Sequence, residues 1–471
     1  MKQLGISLFA LASITACGPK STLPAYAENA SLAAESTQVF WGDTHLHTSY
    51  SPDAFFFGND TADPDTAYRY AKGIPVVHPY HEGRIQIGTP LDFLVVADHA
   101  EMMGVPFRLT QGDERILKTA SGKRLAQMLK TGKGQEVFME FLAKINSGVP
   151  YADLNTDEIR RSVWSDTVAI AERHNEPGHF TSFIGWEWTS TPNGKNLHRV
   201  VFMPQGADAA SKFIPYSAFD SDEPEDLWAW LEKTSAQTGA SFVAIPHNPN
   251  ISGGLMFNDV DSEGRPITVE YARTRMKWEP VIEVTQIKGD SETDPILSPN
   301  DEFAAYEPFS HVLDSENLGA SGEPKLDPGD FARSGLGRGL EIEAKVGANP
   351  YKFGMIGSTD SHTGMASAEE NNFHGKTAFD SIPENRFNDF LGVEGFGSDM
   401  SAAGLAAVWS TFNDREALFE AFQRKEVYAS TGPRIRVRFF GGWDFSSRDA
   451  GDKDLVSTGY DKGVPMGGDL T

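Results

Sequence analysis

The sequence predicts an α/β fold. Short apolar, β-rich runs recur at Val39 to Trp41, Leu91 to Ala97, Phe180 to Trp186, Phe242 to Ile245, Val281 to Ile287 and Phe353 to Ile356. Helix-like stretches such as Asp157 to Glu172, Pro224 to Ala236 and, near the end, Arg415 to Gln423 accompany them. Several runs are followed at once by a cluster holding His, Asp or Glu, and strand ends are where such folds place chemistry. The alternation implies parallel strands with helical crossovers, in a barrel or an open sheet.

The chain begins with a basic pair, Met1-Lys2, an apolar run from Leu4 to Ile14, and then Ile14-Thr15-Ala16-Cys17. The run is too short for a membrane span, and the pattern resembles a bacterial lipoprotein signal in which Cys17 becomes the lipid-carrying N-terminus. Residues 1–17 are therefore expected to be a signal with its lipobox, and the Ser-, Ala-, Glu- and Pro-rich residues 18–37 a flexible tether. Cys17 is the only cysteine, so an internal disulfide is excluded. The resemblance implies an exported bacterial lipoprotein on the periplasmic face of the outer membrane, touching membrane only through its anchor.

The remaining 38–430 are expected to form the main domain and 431–471 a short C-terminal β segment, with Arg434 to Phe440 its first strand. Two long stretches, Glu101 to Ala152 and Phe257 to Gly339, fit the strand–helix repeat poorly and read as insertions walling a pocket. The net charge of -25, from 66 acidic against 41 basic residues, repels polyanions, so a nucleic-acid partner is not expected and a small-molecule substrate is.

The strongest chemical signal is Trp41-Gly42-Asp43-Thr44-His45-Leu46-His47, a strand end bearing His-x-His. Residues i and i+2 of an extended segment share a face, so both imidazoles reach one ion. The spacing recurs as Asp360-Ser361-His362 after Gly357-Ser358-Thr359. Between these lie Asp98-His99, Glu187, His198 in Asn196-Leu197-His198-Arg199, and His247 in Ile245-Pro246-His247-Asn248. Six of the twelve histidines thus stand at such positions, which scattering for packing or solubility does not produce. His78, His81, His174, His179, His311 and His374 have no matching context and read as structural or surface residues.

The order His-x-His, Asp-His, Glu, His, His, Asp-x-His, across about two-thirds of the chain, resembles the PHP superfamily of polymerase-associated and histidinol-phosphatase proteins. The flanks Phe40-Trp41-Gly42-Asp43, Asp98-His99-Ala100-Glu101, Gly185-Trp186-Glu187-Trp188 and Tyr428-Ala429-Ser430-Thr431-Gly432-Pro433-Arg434 resemble its secreted bacterial branch, domain of unknown function 3604. The resemblance implies a distorted (βα)7 barrel with long loop insertions and two to three divalent ions, Mn, Zn or Fe, with Mg also compatible. It implies one ion on His45, His47, Glu187 and Asp360, and a second on Glu187, His198 and His247. A third would sit on His99 and His362, with Asp53 where the family usually has a histidine. It further implies that Gly463 to Thr471 stands where related proteins enter another β-rich segment, leaving this chain short there.

Two ions sharing Glu187 would supply hydroxide at neutral pH and polarise the electrophile, so hydrolysis is the expected reaction. The resemblance favours a small organic phosphate ester, with Arg199 as the cation nearest in sequence to bind the phosphoryl group. Asp98 is read as orienting His99 or touching a metal. Two alternatives stand beside this reading. One is metal-dependent hydrolysis of a carboxylic ester, lactone, amide or sulfate ester, and the other a non-catalytic, metal-containing binding lipoprotein.

Overall fold

The computed structural model describes residues 38–309, 326–387 and 396–470. The signal, the tether and Cys17 lie outside them. Ten strands carry the architecture: β1 (Gln38–Leu46), β2 (Phe93–Val96), β3 (Thr181–Trp188), β4 (Arg199–Met203), β5 (Val243–Pro246), β6 (Val281–Gln286), β7 (Gly289–Asp290), β8 (Gly354–Gly357), β9 (Leu405–Ser410) and β10 (Val427–Ser430). A seven-stranded sheet runs β10-β9-β1-β2-β3-β4-β5, and a three-stranded sheet runs β8-β6-β7. At one end of the large sheet β5 touches β6, and at the other β9 and β10 touch β8. Both ends meet the same small sheet, so the large sheet curls into a half-barrel with the small sheet across its open side.

The fold is mixed α/β, and the expected parallel pairing holds only in part. Strands β1-β2-β3 pair in parallel, as do β8 and β6, whereas β3-β4-β5 and β1-β9-β10 pair antiparallel. The segment joining β3 to β4, residues 189–198, is too short for a helical crossover and returns the chain directly. The second expected insertion is likewise not only a loop, since it contains helix Val269–Trp278 and strands β6 and β7. The first forms a helical cluster, with Leu109, Ile116, Leu125, Val137 and Phe141 in its own apolar core. Arg434 to Phe440 is unpaired except at its end, where Phe440–Gly441 meets Val464–Pro465.

Alternation along the strands divides the interior into two apolar layers. Leu94, Val96, Ile184, Trp186 and Trp188 face outward, packing with Val163, Trp164 and Val168 of helix Asp157–His174. Phe93, Val95, Ala97, Phe183, Val200, Phe202, Val243, Ile245 and Val281 face into the half-barrel, where Leu418, Phe419 and Phe422 of helix Arg415–Gln423 fill the space. Continuing these inward rows, by way of Gly185 in β3, reaches His99, Glu187, His198, His247 and Glu283. A polar layer therefore lies directly on the inner apolar core.

Arg199 belongs to the frame of the fold, not to that polar layer. It is 1% exposed, its Nε donates to Glu279 Oε1 at 3.0 Å, a terminal nitrogen donates to the Leu197 carbonyl, and its guanidinium lies over Trp188. Arg275 and the Trp228 indole complete the cage around Glu279, at 3.0 and 2.9 Å. The expected phosphoryl-binding role is corrected accordingly: the outward face of β4 gives this side chain to a buried ion pair.

Two substitutions test this frame. A Cβ on Gly185 would stand 2.5 Å from Val95 Cγ1 and 2.9 Å from the Val201 carbonyl oxygen, so Gly185→Ala should cost about 1–3 kcal/mol, measured by urea unfolding. Arg199→Met should cost about 3 kcal/mol by stripping a partner from buried Glu279, with no selective loss of substrate binding.

Candidate metal centre

Strand β1 carries an extra residue between Asp43 and Leu46 relative to β2, and this bulge re-aims the end of the strand where His45 sits. Asp43 accepts from the His45 and Thr359 amides, at 2.9 and 3.2 Å, and from the Thr359 hydroxyl, tying the strand end to the loop after β8. The Asp360 amide then donates to the His45 carbonyl at 2.8 Å and the His47 amide to the Ser361 carbonyl at 2.9 Å. Backbone pairing thus sets the His-x-His and Asp-x-His segments side by side. Asp360 holds a left-handed φ of 50°, a costly conformation for a non-glycine residue that turns its carboxylate toward the histidines.

Four donor atoms converge there. His45 Nε2 lies 3.0 Å from His47 Nε2, 3.4 Å from Glu187 Oε2 and 3.4 Å from Asp360 Oδ1, and His47 Nε2 lies 3.1 and 3.4 Å from the same two oxygens. An ion about 2.1 Å from each of four atoms spaces neighbouring ligand atoms roughly 3.0 to 3.4 Å apart. The other ring nitrogens are already committed. His45 Nδ1 meets Glu283 Oε2 at 3.0 Å, and His47 Nδ1 meets Ser51 Oγ at 2.7 Å. A carboxylate only accepts, so His45 Nδ1 carries hydrogen and its Nε2 is left for the cluster.

Glu187 joins this cluster to a second. Its Oε1 lies 2.8 Å from His198 Nδ1 and 3.0 Å from His247 Nε2, while Oε2 faces His45, His47 and His99. Although Glu187 is 1% exposed, Oε2 makes no hydrogen bond among the described residues. Burial pushes the Glu187 carboxyl up, but the charges of His99 and His247 and hydrogen bonds from His198 and His247 hold it well below the usual range. His45 answers the same field: burial opposes its charge, but Asp360 and Glu283 raise it to about 10. The pocket demands positive charge, which a proton supplies when no ion does.

A third group forms where Asp53 Oδ2 lies 2.8 Å from His362 Nε2 and 3.2 Å from His99 Nε2. His362 Nδ1 also lies 3.1 Å from the Asp360 carbonyl oxygen, so a neutral ring, whichever nitrogen holds its hydrogen, sets one lone pair against an acceptor. Protonation is no remedy, because burial lowers His362 to about 3, with His47 and Lys376 adding to the effect against Asp53. A cation between Asp53, His99 and His362 removes the conflict. The donor sets of all three groups fit divalent ions with nitrogen and oxygen ligands.

The structure thus brings together His45, His47, Asp53, His99, Glu187, His198, His247, Asp360 and His362. Asp98 acts on the centre from behind, which corrects its expected role: it accepts from the Thr48 amide and hydroxyl, both at 2.7 Å, and lies in the field of His47, so it positions the turn after His47 rather than the His99 ring. His99 is held by Thr189 Oγ1 at 2.6 Å from Nδ1, and His198 by Thr191 Oγ1 at 2.9 Å from Nε2. Sequence reasoning passed over Glu283, Lys288 and Lys376. Glu283 had a signal, a carboxylate inside the apolar run Val281-Ile282-Glu283-Val284, whereas the lysines had none.

His78, His81 and His374 also gather, away from this centre. The His78 and His81 rings stack 3.9 Å apart and 7° from parallel, so an ion in the plane of one ring falls outside that of the other. This trio does not chelate an ion as it stands.

The described residues include no helix long and apolar enough to cross a membrane. No curated protein matches the chain. Among solved structures, a two-domain protein from Bacteroides vulgatus, described as containing a predicted PHP-like metal-dependent phosphoesterase, is similar at 11% identity and a TM-score of 0.32. The match covers 84% of this chain and 66% of that one. The sequence model of the family DUF3604, a protein of unknown function, matches residues 34–471, and the chain belongs to that family.

Proposed function

We propose that this protein is a metal-dependent hydrolase acting on a small organic phosphate ester. The observation that carries the reading is Glu187, a buried carboxylate whose two oxygens face two separate sets of imidazoles. That is the geometry of a bridging ligand, and divalent ions bound there would activate water near neutral pH and polarise an ester oxygen. The protein's own part is to fix the ligands. Glu283 and Ser51 select which nitrogens of His45 and His47 face the centre, and Thr189 and Thr191 orient His99 and His198.

A phosphate ester is favoured over a neutral one because two ammonium groups stand at the centre. Lys288 and Lys376 approach Asp360 at 2.6 and 2.7 Å, and they offset its buried charge so that the carboxyl, despite burial, lies well below its ordinary range. Export and lipid attachment through Cys17 belong to the same proposal, on the N-terminal pattern alone.

Metal analysis of the purified protein should find two to three divalent ions per chain. A phosphoester panel under Mn, Zn, Fe and Mg should show turnover that His45→Ala and Asp360→Ala both abolish. Ions without phosphoester turnover would redirect the reading to carboxylic esters, lactones, amides or sulfate esters, and absence of metal under every supplement would sink it. Glu187→Gln gives a sharper check: removing the shared charge should lower metal content in both adjoining groups, whereas Asp53→Ala should affect only the third.

A further inference from the structure

Asp360 receives more positive partners than its fold requires. Lys376 Nζ donates to its carbonyl oxygen at 2.6 Å and to Oδ1 at 2.7 Å, bracing backbone and side chain of the left-handed residue together. Gln286 Nε2 donates to Oδ2 at 2.7 Å. Lys288 adds a second ammonium on that same Oδ2, at 2.6 Å. Without Lys288 the carboxylate would still hold one charge partner and one neutral donor, so its pairing is surplus to holding Asp360 in place.

Lys288 also stands differently from Lys376. Its side chain is 14% exposed against 7%, and it lies in the field of Glu187 in addition to those of Asp360 and Asp53, which both lysines share. Asp53, His99 and His198 of the same centre are likewise partly open. The Lys288 backbone is fixed, and its side chain is tied to Asp360 through the ammonium. The tight β6–β7 hairpin needs Gly289 at φ 89°, where a Cβ would meet Phe309 Cβ at 2.7 Å and the Glu307 carbonyl at 2.8 Å. Asn250 Nδ2 donates to the Lys288 carbonyl at 3.1 Å, and the Ile287 amide to the Thr359 carbonyl at 3.2 Å.

We infer that Lys288 is the anion-binding side chain of this centre, swinging from Asp360 onto an oxygen of a dianionic tetrahedral group, the phosphoryl group of a monoester. The inference rests on the functional reading above and narrows its substrate class. Asp53, Glu187, Glu283 and Asp360 are the carboxylates that touch the imidazoles of the centre; two divalent ions would balance them, and a third would only add positive charge. The ammonium groups of Lys288 and Lys376 are then left as uncompensated charge, which suits a dianion rather than a neutral or singly charged ester. Arg199, committed to Glu279, does not serve. Lys376 is the positioning residue and Lys288 the binding one, because only Lys288 can leave Asp360 without releasing its backbone.

Titration calorimetry with inorganic phosphate on the metal-loaded protein, with sulfate in parallel, tests this. Lys288→Met should keep the metal stoichiometry and weaken phosphate binding roughly tenfold or more, while Lys288→Arg should restore it to within about threefold of wild type. Lys376→Met, by contrast, should lower metal content through Asp360. Wild-type affinity for phosphate in Lys288→Met, loss of metal in that variant, or no phosphate binding by the wild type would each overturn the assignment. Sulfate bound as tightly as phosphate would support the anion site and assign it to tetrahedral dianions generally. Lys288-dependent phosphate binding in a protein that hydrolyses no phosphoester would overturn the phosphoesterase reading and leave this assignment standing.

Discussion

A carboxylate taken out of water must be answered by positive charge, and Glu187 makes that demand at the middle of the molecule. It sits where the inner face of β3 leaves the apolar core, 1% exposed, with imidazoles from four other segments around it. The rest of the centre serves this one charge. The carboxylates around His45 favour its charged form, the lysines crowd onto neighbouring Asp360, and hydroxyls at Ser51, Thr189 and Thr191 hold the rings that face inward. Stability and function pull in opposite directions here, since an apolar residue at 187 would continue the inner core with far less cost.

Much of this was legible in the sequence, because the information lay in a period of two. The inward row Phe93-Val95-Ala97 ends at His99, and Val243-Ile245 ends at His247. The candidate donors stood at strand ends, while their grouping and the inclusion of Asp53 came from the family resemblance; the structure brings Asp53 to 2.8 Å from His362 and 3.2 Å from His99. The pairing directions were not legible. An apolar run looks the same in a parallel or an antiparallel neighbour, and only the short link from β3 to β4 hinted at a direct return. Arg199 misled for a related reason: adjacency to His198 in sequence puts it on the opposite face of the strand, pointing toward Glu279. Lys288 and Lys376 were invisible because a hairpin tip and a loop carry no periodicity.

The helical cluster of residues 105–146 and the hairpin of β6 and β7 show two ways an irregular segment enters an α/β frame. The first packs chiefly on its own apolar residues, Leu109, Ile116, Leu125 and Phe141. The second is woven into the frame, with Glu283 on His45 and Lys288 on Asp360. A reading of both as walls misses that difference, which lies in whether the segment's own hydrophobic content suffices to bury itself.

The donors of the centre come from separate strand ends, and from helix Pro52–Phe56 in the case of Asp53, scattered between residues 45 and 362. An incompletely folded chain therefore offers little beyond the local pairs His45-Leu46-His47 and Asp360-Ser361-His362, and the full donor set exists only when the half-barrel has closed. Loading with an ion would in this sense be an act of the finished protein. The compartment in which the chain completes its folding, through the ions present there, would then decide which metal such a centre takes up.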